Sequence, residues 1–163
     1  MRPDLRASEQ DLRSGWVAPW PEALQQTVSS IKISTSSRFF LTGALFLSYP
    51  DKDRAGRVRH GKLAFKLVAG RSFFGLRKRY VIHHFVSAMT PKTLRRHYSG
   101  PFLRTVLAWL RTRGFHEVRF PIHSRRRRAA FQDVITGLGF EYRLLNRLLF
   151  QVVVVDLKPS DGG

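Results

Sequence analysis

Three clusters in this chain carry side chains of reactive or ligand-binding type. The first is Arg95-Arg96-His97-Tyr98-Ser99-Gly100, directly ahead of Pro101. Ser99 and Gly100 are N-cap residue types, and Pro101 suits a first helical turn because its missing N–H costs nothing there. A basic turn entering a helix leaves backbone N–H groups unpaired and pointing outward, an arrangement that binds phosphate. Arg95 and Arg96 would add charge to that grip; the plainer alternative is a solvated basic turn. The second cluster is His83-His84, adjacent in an apolar run and so on opposite faces of a strand. Either could act as a base, since an unperturbed imidazole titrates near pH ~6.5. The alternative is one buried sheet histidine and one surface histidine. No carboxylate lies between Tyr80 and Met89, so Glu141 is the nearest other candidate base.

The third cluster is Arg125-Arg126-Arg127-Arg128. Cations near a helix start oppose its dipole by about 0.3–1 kcal/mol each. An anionic macromolecule would turn that cost into binding, because guanidinium groups pair phosphates in bidentate fashion. The plainer reading is a solvated loop. Arg77-Lys78-Arg79 and Lys92 extend the charge, and Phe73, Phe74 and Tyr80 lie beside it. Interleaved rings and cations suit single-stranded nucleic acid, unless the rings are core. His60, His97, His116 and His123 are scattered without metal-ligand spacing, so no metal site is expected.

The elements that must position these groups are legible from periodicity. Strands are expected over residues 38–49, 61–69 and 80–89, the second from the alternation of Leu63, Phe65 and Leu67 with Ala64 and Lys66. A short helical pattern runs from Pro21 to about Ser29. Leu103, Val106, Leu107 and Leu110 recur at helical spacing, and Gly114 closes that helix. A strand over 118–122 follows, then a second helix with Phe131, Val134, Ile135 and Leu138 inward and Gly139 as its cap. Residues 142–157 read as one or two strands bent near Asn146. The organisation expected is a loose arm over 1–20, a single domain over 21–157 and a frayed tail over 158–163.

The chain has 163 residues, 43% of them hydrophobic, with 29 Lys plus Arg against 11 Asp plus Glu, for a net charge of +18. That hydrophobic fraction argues against disorder. The charge calls for an acidic partner, be it nucleic acid, an acidic protein, a phosphorylated ligand or an anionic membrane; arginine-rich codon usage is the bland explanation. With no cysteine there is no disulfide, thiolate ligand or cysteine nucleophile. No apolar run has membrane-spanning length. Met1 to Ser14 lacks the apolar core of a secretory signal, and a cytoplasmic location is expected.

The strand–strand–strand–helix–strand–helix–strand order, with Gly100 at a helix start, resembles the acyl-coenzyme A-binding half of the GNAT (N-acetyltransferase) superfamily. The family's phosphate loop has the form Gln/Arg-x-x-Gly-x-Gly/Ala, which Arg95 and Gly100 match. Tyr98 stands where a glycine is usual. The resemblance covers roughly Arg38 to Val155, with Arg113 to Phe115 and Leu138-Gly139-Phe140 at the family's positions. It implies an α+β fold with a GNAT-like mixed, mostly antiparallel central sheet flanked by helices. It also implies acetyl-coenzyme A as cofactor. The pyrophosphate would lie on Arg95, Arg96, Tyr98, Ser99 and Gly100. The pantetheine arm and thioester carbonyl would lie along the backbone of Val86, Ser87, Ala88 and Met89, on a strand that splays from its neighbour. Tyr98 removes a glycine that permits close backbone approach. Val134 and Ile135 occupy the stretch where many members carry a tyrosine acid.

Two functions follow. One is a GNAT-like acyltransferase acting on an acidic or nucleic-acid-associated acceptor, such as an aminoacyl-tRNA or protein amine, with His83, His84 or Glu141 as base. The other is a non-catalytic module of the same fold. It would dock on RNA, DNA or an acidic protein through Arg77, Lys78, Arg79 and Arg125, Arg126, Arg127 and Arg128.

Overall fold

The computed structural model describes residues 4–7, 28–51, 53–71, 79–88 and 103–157. Strands β1 (Val28–Ser36), β2 (Phe40–Pro50), β3 (Val58–Arg71) and β4 (Arg79–Ala88) come first. Helix α1 is described over residues 103–112. Then follow β5 (Glu117–Ile122), α2 (Arg125–Gly137), β6 (Tyr142–Asn146) and β7 (Gln151–Asp156). One seven-stranded sheet takes the order β1-β2-β3-β4-β5-β7-β6. Its neighbours are antiparallel except β4 and β5. The fold is therefore mixed α+β with a mostly antiparallel sheet.

The sheet has one apolar face. Strict alternation in β3 buries Leu63, Phe65 and Leu67 and leaves Lys62, Ala64 and Lys66 half-buried on the other side. Register carries the apolar row across the strands: Leu41 pairs with Leu67, Leu67 with His83, and Val81 with Val118. Both helices pack on this face. Leu103, Val106, Leu107 and Leu110 of α1 and Ile135 of α2 share one core with Ile31, Leu45, Phe65, Phe120, Val153 and Val155. Chain geometry explains the shared side. Both crossovers, β4-α1-β5 and β5-α2-β6, step across the sheet in the same direction, and a right-handed connection then places both helices together.

Each helix ends on a glycine in the left-handed region, Gly114 at φ 81° and Gly139 at φ 78°. Phe115 N–H donates to Leu110 C=O (3.2 Å) and Phe140 N–H to Ile135 C=O (3.3 Å), so both stops are Schellman turns.

Strand β1 is a correction to the sequence reading. The helical pattern ending near Ser29 runs into it, because Val28 and Ser29 are already extended. Its Ser- and Thr-rich sequence has little apolar alternation, and pairing with β2 overrides that weak local signal. Residues 4–7 of the arm expected to be loose are seated: Leu5 is fully buried, and its N–H donates to Arg38 C=O at 3.1 Å. The rest of the arm, most of the Pro21 helical pattern and the tail lie outside the described residues. Among the described residues no helix is long and apolar enough to cross a membrane.

Candidate functional site

Strands β4 and β5 touch over only three rungs: Tyr80 with Glu117, Val81 with Val118 and Ile82 with Arg119. Beyond Ile82, β4 runs on to Ala88 paired with β3, while β5 runs on to Ile122 paired with β7. The two parallel strands thus part into a wedge. Within it the register jumps from Phe65–Phe85 to Ala64–Ser87, so Val86 is the extra residue of a bulge. A bulge sharpens strand twist and leaves a residue outside the ladder, which turns β4 away from β5.

The other end of the pair is closed. Arg79 N–H donates to His116 Nδ1 (3.1 Å), and His116 N–H donates to Arg79 C=O (2.9 Å). Glu117 accepts from Arg119 at Oε1 (2.7 Å) and from Arg143 at Oε2 (2.7 Å). Burial pushes the Glu117 carboxyl upward, but these hydrogen bonds and charges together outweigh it and hold the group below its ordinary value. The Arg119 guanidinium also covers the Tyr80 ring at 3.7 Å.

The two histidines divide between the faces of β4, as their adjacency requires. His83 points toward the helices, 2% exposed. It stacks on Phe65 (6.4 Å) and meets Phe120 at a tilt (5.1 Å), and Phe120 packs in turn on Phe131 of α2 (4.6 Å). Burial first, then the charge of His84, drives its pKa down to about 3. A ring held that way is neutral at ordinary pH and screened from solvent by aromatic neighbours. His84 lies on the opposite, exposed side. Burial, then Lys66, then His123 lower its pKa. His123 follows the last residue of β5, so the two imidazoles flank the wedge within electrostatic reach of each other. The His123 ring packs on Phe150 at 5.3 Å. A cavity of about 310 Å³ opens there, bounded by Ile122, His123, Arg125, Arg147 and Phe150.

Several expected residues gather here and others do not. Val86, Ser87 and Ala88 lie on the β4 arm of the wedge. Arg125, Arg126, Arg127 and Arg128 form the first turn of α2, which holds no acidic residue. Arg125 is exposed and Arg128 half-buried. Arg79 opens β4 at the closed end. Glu141 is also at the closed end. Its carbonyl accepts from Asp156 N–H (3.1 Å), and Asp156 pairs with Glu117. His83 and His84 lie three and four residues of strand, roughly 10 and 13 Å, beyond that row. Glu141 therefore does not join the histidines. Met89, Arg77, Lys78, Arg95, Arg96, Tyr98, Ser99 and Gly100 lie outside the described residues. His123 and Arg147 are the residues that the sequence reading missed. The one signal for His123 was its place at the carboxyl end of a strand, where ligands gather in sheets with parallel pairs. Among the described residues no cluster of three or more His, Cys, Asp or Glu side chains is arranged to hold a metal ion.

No protein-family model and no curated protein matches the chain. Among solved structures, a domain from Methanocaldococcus jannaschii is similar at 11% identity and TM-score 0.44, over 93% of this chain and 95% of that one. A proposed acetyltransferase from Salmonella typhimurium, yncA, solved with its cofactor acetyl-CoA, is similar at 16% identity and TM-score 0.44, over 76% and 68%. A proposed GNAT-family acetyltransferase from Desulfovibrio desulfuricans is similar at 12% identity and TM-score 0.40, over 74% and 70%.

Proposed function

We propose that the chain is a GNAT-like acyltransferase that takes its acyl group from a coenzyme A thioester. The observation that carries this reading is the wedge: a parallel pair that parts after Ile82–Arg119, with a bulge at Val86 on the freed strand. An extended backbone edge with, among the described residues, no strand on its open side suits an amide-bearing arm, which can pair with it as a strand would. The thioester would supply an activated acyl group. The backbone over Val86, Ser87 and Ala88 would hold and orient it and would offer N–H groups to the oxygen on which charge develops. His84 is the base in this reading. It is exposed at the wedge, and its lowered pKa keeps it neutral, so it can accept the proton of an attacking amine. His83 lines the apolar floor. Ile135 is aliphatic and fully buried in the core, so that position of α2 has no proton to give the leaving sulfur. Arg95, Arg96, Tyr98, Ser99 and Gly100 remain the proposed phosphate loop.

Calorimetry with acetyl-coenzyme A, paired with an assay for free thiol release, tests the reading. Binding at micromolar concentration is expected, with a rise in Tm at saturating ligand. No heat and no shift at millimolar ligand would exclude it.

A binding-module reading has one observation in its favour. Four arginines occupy the first turn of α2 without an acidic residue to offset them. Their cost against the helix dipole is recovered only with an anionic partner.

A further inference from the structure

Both helices pack on one face of the sheet, and among the described residues no element covers the other face over β1–β4. The composition of that face is unusual. None of the four strands contains an aspartate or glutamate. Register places Lys32, Lys62, Lys66 and His84 on it, together with Phe40, Phe46 and Tyr80. Each of the three rings carries a cation. Lys66 lies 4.9 Å from the Phe40 ring, Lys32 and Lys62 lie 5.4 and 5.7 Å from the Phe46 ring, and Arg119 covers Tyr80 at 3.7 Å. Small residues separate the rings: Ala44 pairs with Ala64 between the Phe46 and Phe40 rows, and Gly70 lies under Tyr80. An added Cβ on Gly70 would come within 2.4 Å of the Tyr80 ring, so the glycine is what lets that ring lie flat on the sheet.

We propose that this face of β1–β4 is a platform for single-stranded nucleic acid, with Phe40 and Phe46 as stacking surfaces and Lys32, Lys62 and Lys66 as phosphate contacts. The inference stands apart from acyl transfer, because it uses neither the wedge backbone nor His84. Rings interleaved with cations on strands that carry no acid, with Glu117 of β5 at the Tyr80 edge, offer a strand both of the contacts that it makes without sequence preference: stacking on base faces and pairing with the backbone. Phe40 and Phe46 are six residues apart on one strand, roughly 20 Å, a span that a few nucleotides cover. An acidic protein would use the cations and leave the rings idle. An anionic membrane would need protruding apolar side chains, and these phenylalanines are half-buried. The lysines now lying over the rings are flexible, and a phosphate draws them aside as a base takes the ring face.

The test is fluorescence anisotropy with labelled oligonucleotides of about 16 nucleotides, one of deoxythymidine and one of uridine, titrated with the full chain over a range of salt. Two variants accompany it: Lys32→Gln/Lys62→Gln/Lys66→Gln, and Phe40→Leu/Phe46→Leu, which keeps apolar volume but removes the rings. Binding of the parent chain is expected to weaken steeply with salt. The lysine variant should bind about tenfold or more weakly, with its log–log salt slope reduced by roughly 2, since each lost phosphate contact in a single strand accounts for about 0.7. The leucine variant should lose roughly tenfold affinity, or more, at an unchanged salt slope. Circular dichroism and Tm confirm that each variant is folded. Parent-like binding by both folded variants would overturn the proposal and move any affinity to the arginines of α2. No binding by the parent at about 50 mM salt would also overturn it, as would equal affinity for duplex or preference for phosphatidylserine vesicles. Coenzyme A calorimetry reads the wedge separately, so either result can fail while the other stands.

Discussion

His83 and His84 show what one peptide bond does in a strand. The pair is chemically identical in sequence, yet one ring is sealed among Phe65 and Phe120 and the other faces solvent. Two measurable consequences follow. Replacing His84 with glutamine should lower turnover by roughly 10²–10⁴ if it is the base. In the parent, kcat/KM should rise with pH through a midpoint below 6.5, because the base works only when neutral and its pKa is lowered. Substituting Lys66→Gln removes a neighbouring cation and should move that midpoint upward; an unmoved acid limb would show that another group sets it. His83 reports instead on folding. Its folded pKa of about 3 lies below the ordinary 6.5, so the unfolded chain binds the proton more tightly. The stability this represents is complete above pH 6.5 and falls as pH drops toward 3, by up to about 1.4 kcal/mol per pH unit. Tm against pH should therefore slope over that window, and His83→Leu should flatten the slope. Period-two alternation made the opposite orientation legible from sequence. It could not say which ring would be buried, because that depends on the side of the sheet the helices choose.

Elements are held in place by a few tight contacts that periodicity does not reveal. Gly43 lies in β2 opposite Phe65, and a Cβ there would meet Phe65 Cζ at 2.7 Å. Phe65 is fully buried and stacked on His83, so it has little room to yield. Gly43→Ala should cost about 1–3 kcal/mol by overpacking, and adding Phe65→Leu should recover part of it; the double-mutant cycle in urea measures that coupling. The closed end of the wedge depends on Glu117, which pairs with Arg119 on its own strand and ties β5 to β6 through Arg143. Glu117→Gln leaves two guanidinium groups without their counter-charge. About 3 kcal/mol of lost stability is expected, at the low end for a buried pair because Arg143 is 51% exposed. The carboxyl is held below its usual value, so this contribution is present at neutral pH and fades only as pH falls below about 4.5, an acid limb lower than that of His83. The strands and helices that bury an apolar row were legible in sequence: β2, β3, β4, β5, α2 and both glycine stops. Strand β1 was not, since it is an edge strand of serines and threonines whose extended form comes from pairing with β2. The wedge was legible only through the family resemblance, because strand parting arises from register and a bulge, and neither leaves a periodic signal.

At the scale of the whole molecule, charge is the property that composition made plain and that the fold organises. Excess cations raise the free energy of any compact state by mutual repulsion. Ion pairs among the described residues offset little of it. Arg6–Asp4 and Arg59–Asp51 are surface pairs of small worth, and the Glu117 cluster sets two cations against one acid. Sheet and helices instead segregate the charge: β1–β4 carry cations without acids on the face opposite α1 and α2, and α2 begins on four arginines. Repulsion between exposed charges is screened over about 10 Å at 0.1 M salt. The chain alone should therefore gain Tm as sodium chloride rises from about 20 to 300 mM, the opposite of a fold held by surface ion pairs. A single-stranded polyanion should reverse the trend, raising Tm most at low salt and losing its effect as counterions compete. Scanning calorimetry on the same preparation with and without the polymer reads both trends. A Tm that falls with salt in the free chain would show that attractive pairs outweigh the excess of +18, and the charge would then need no partner to explain it.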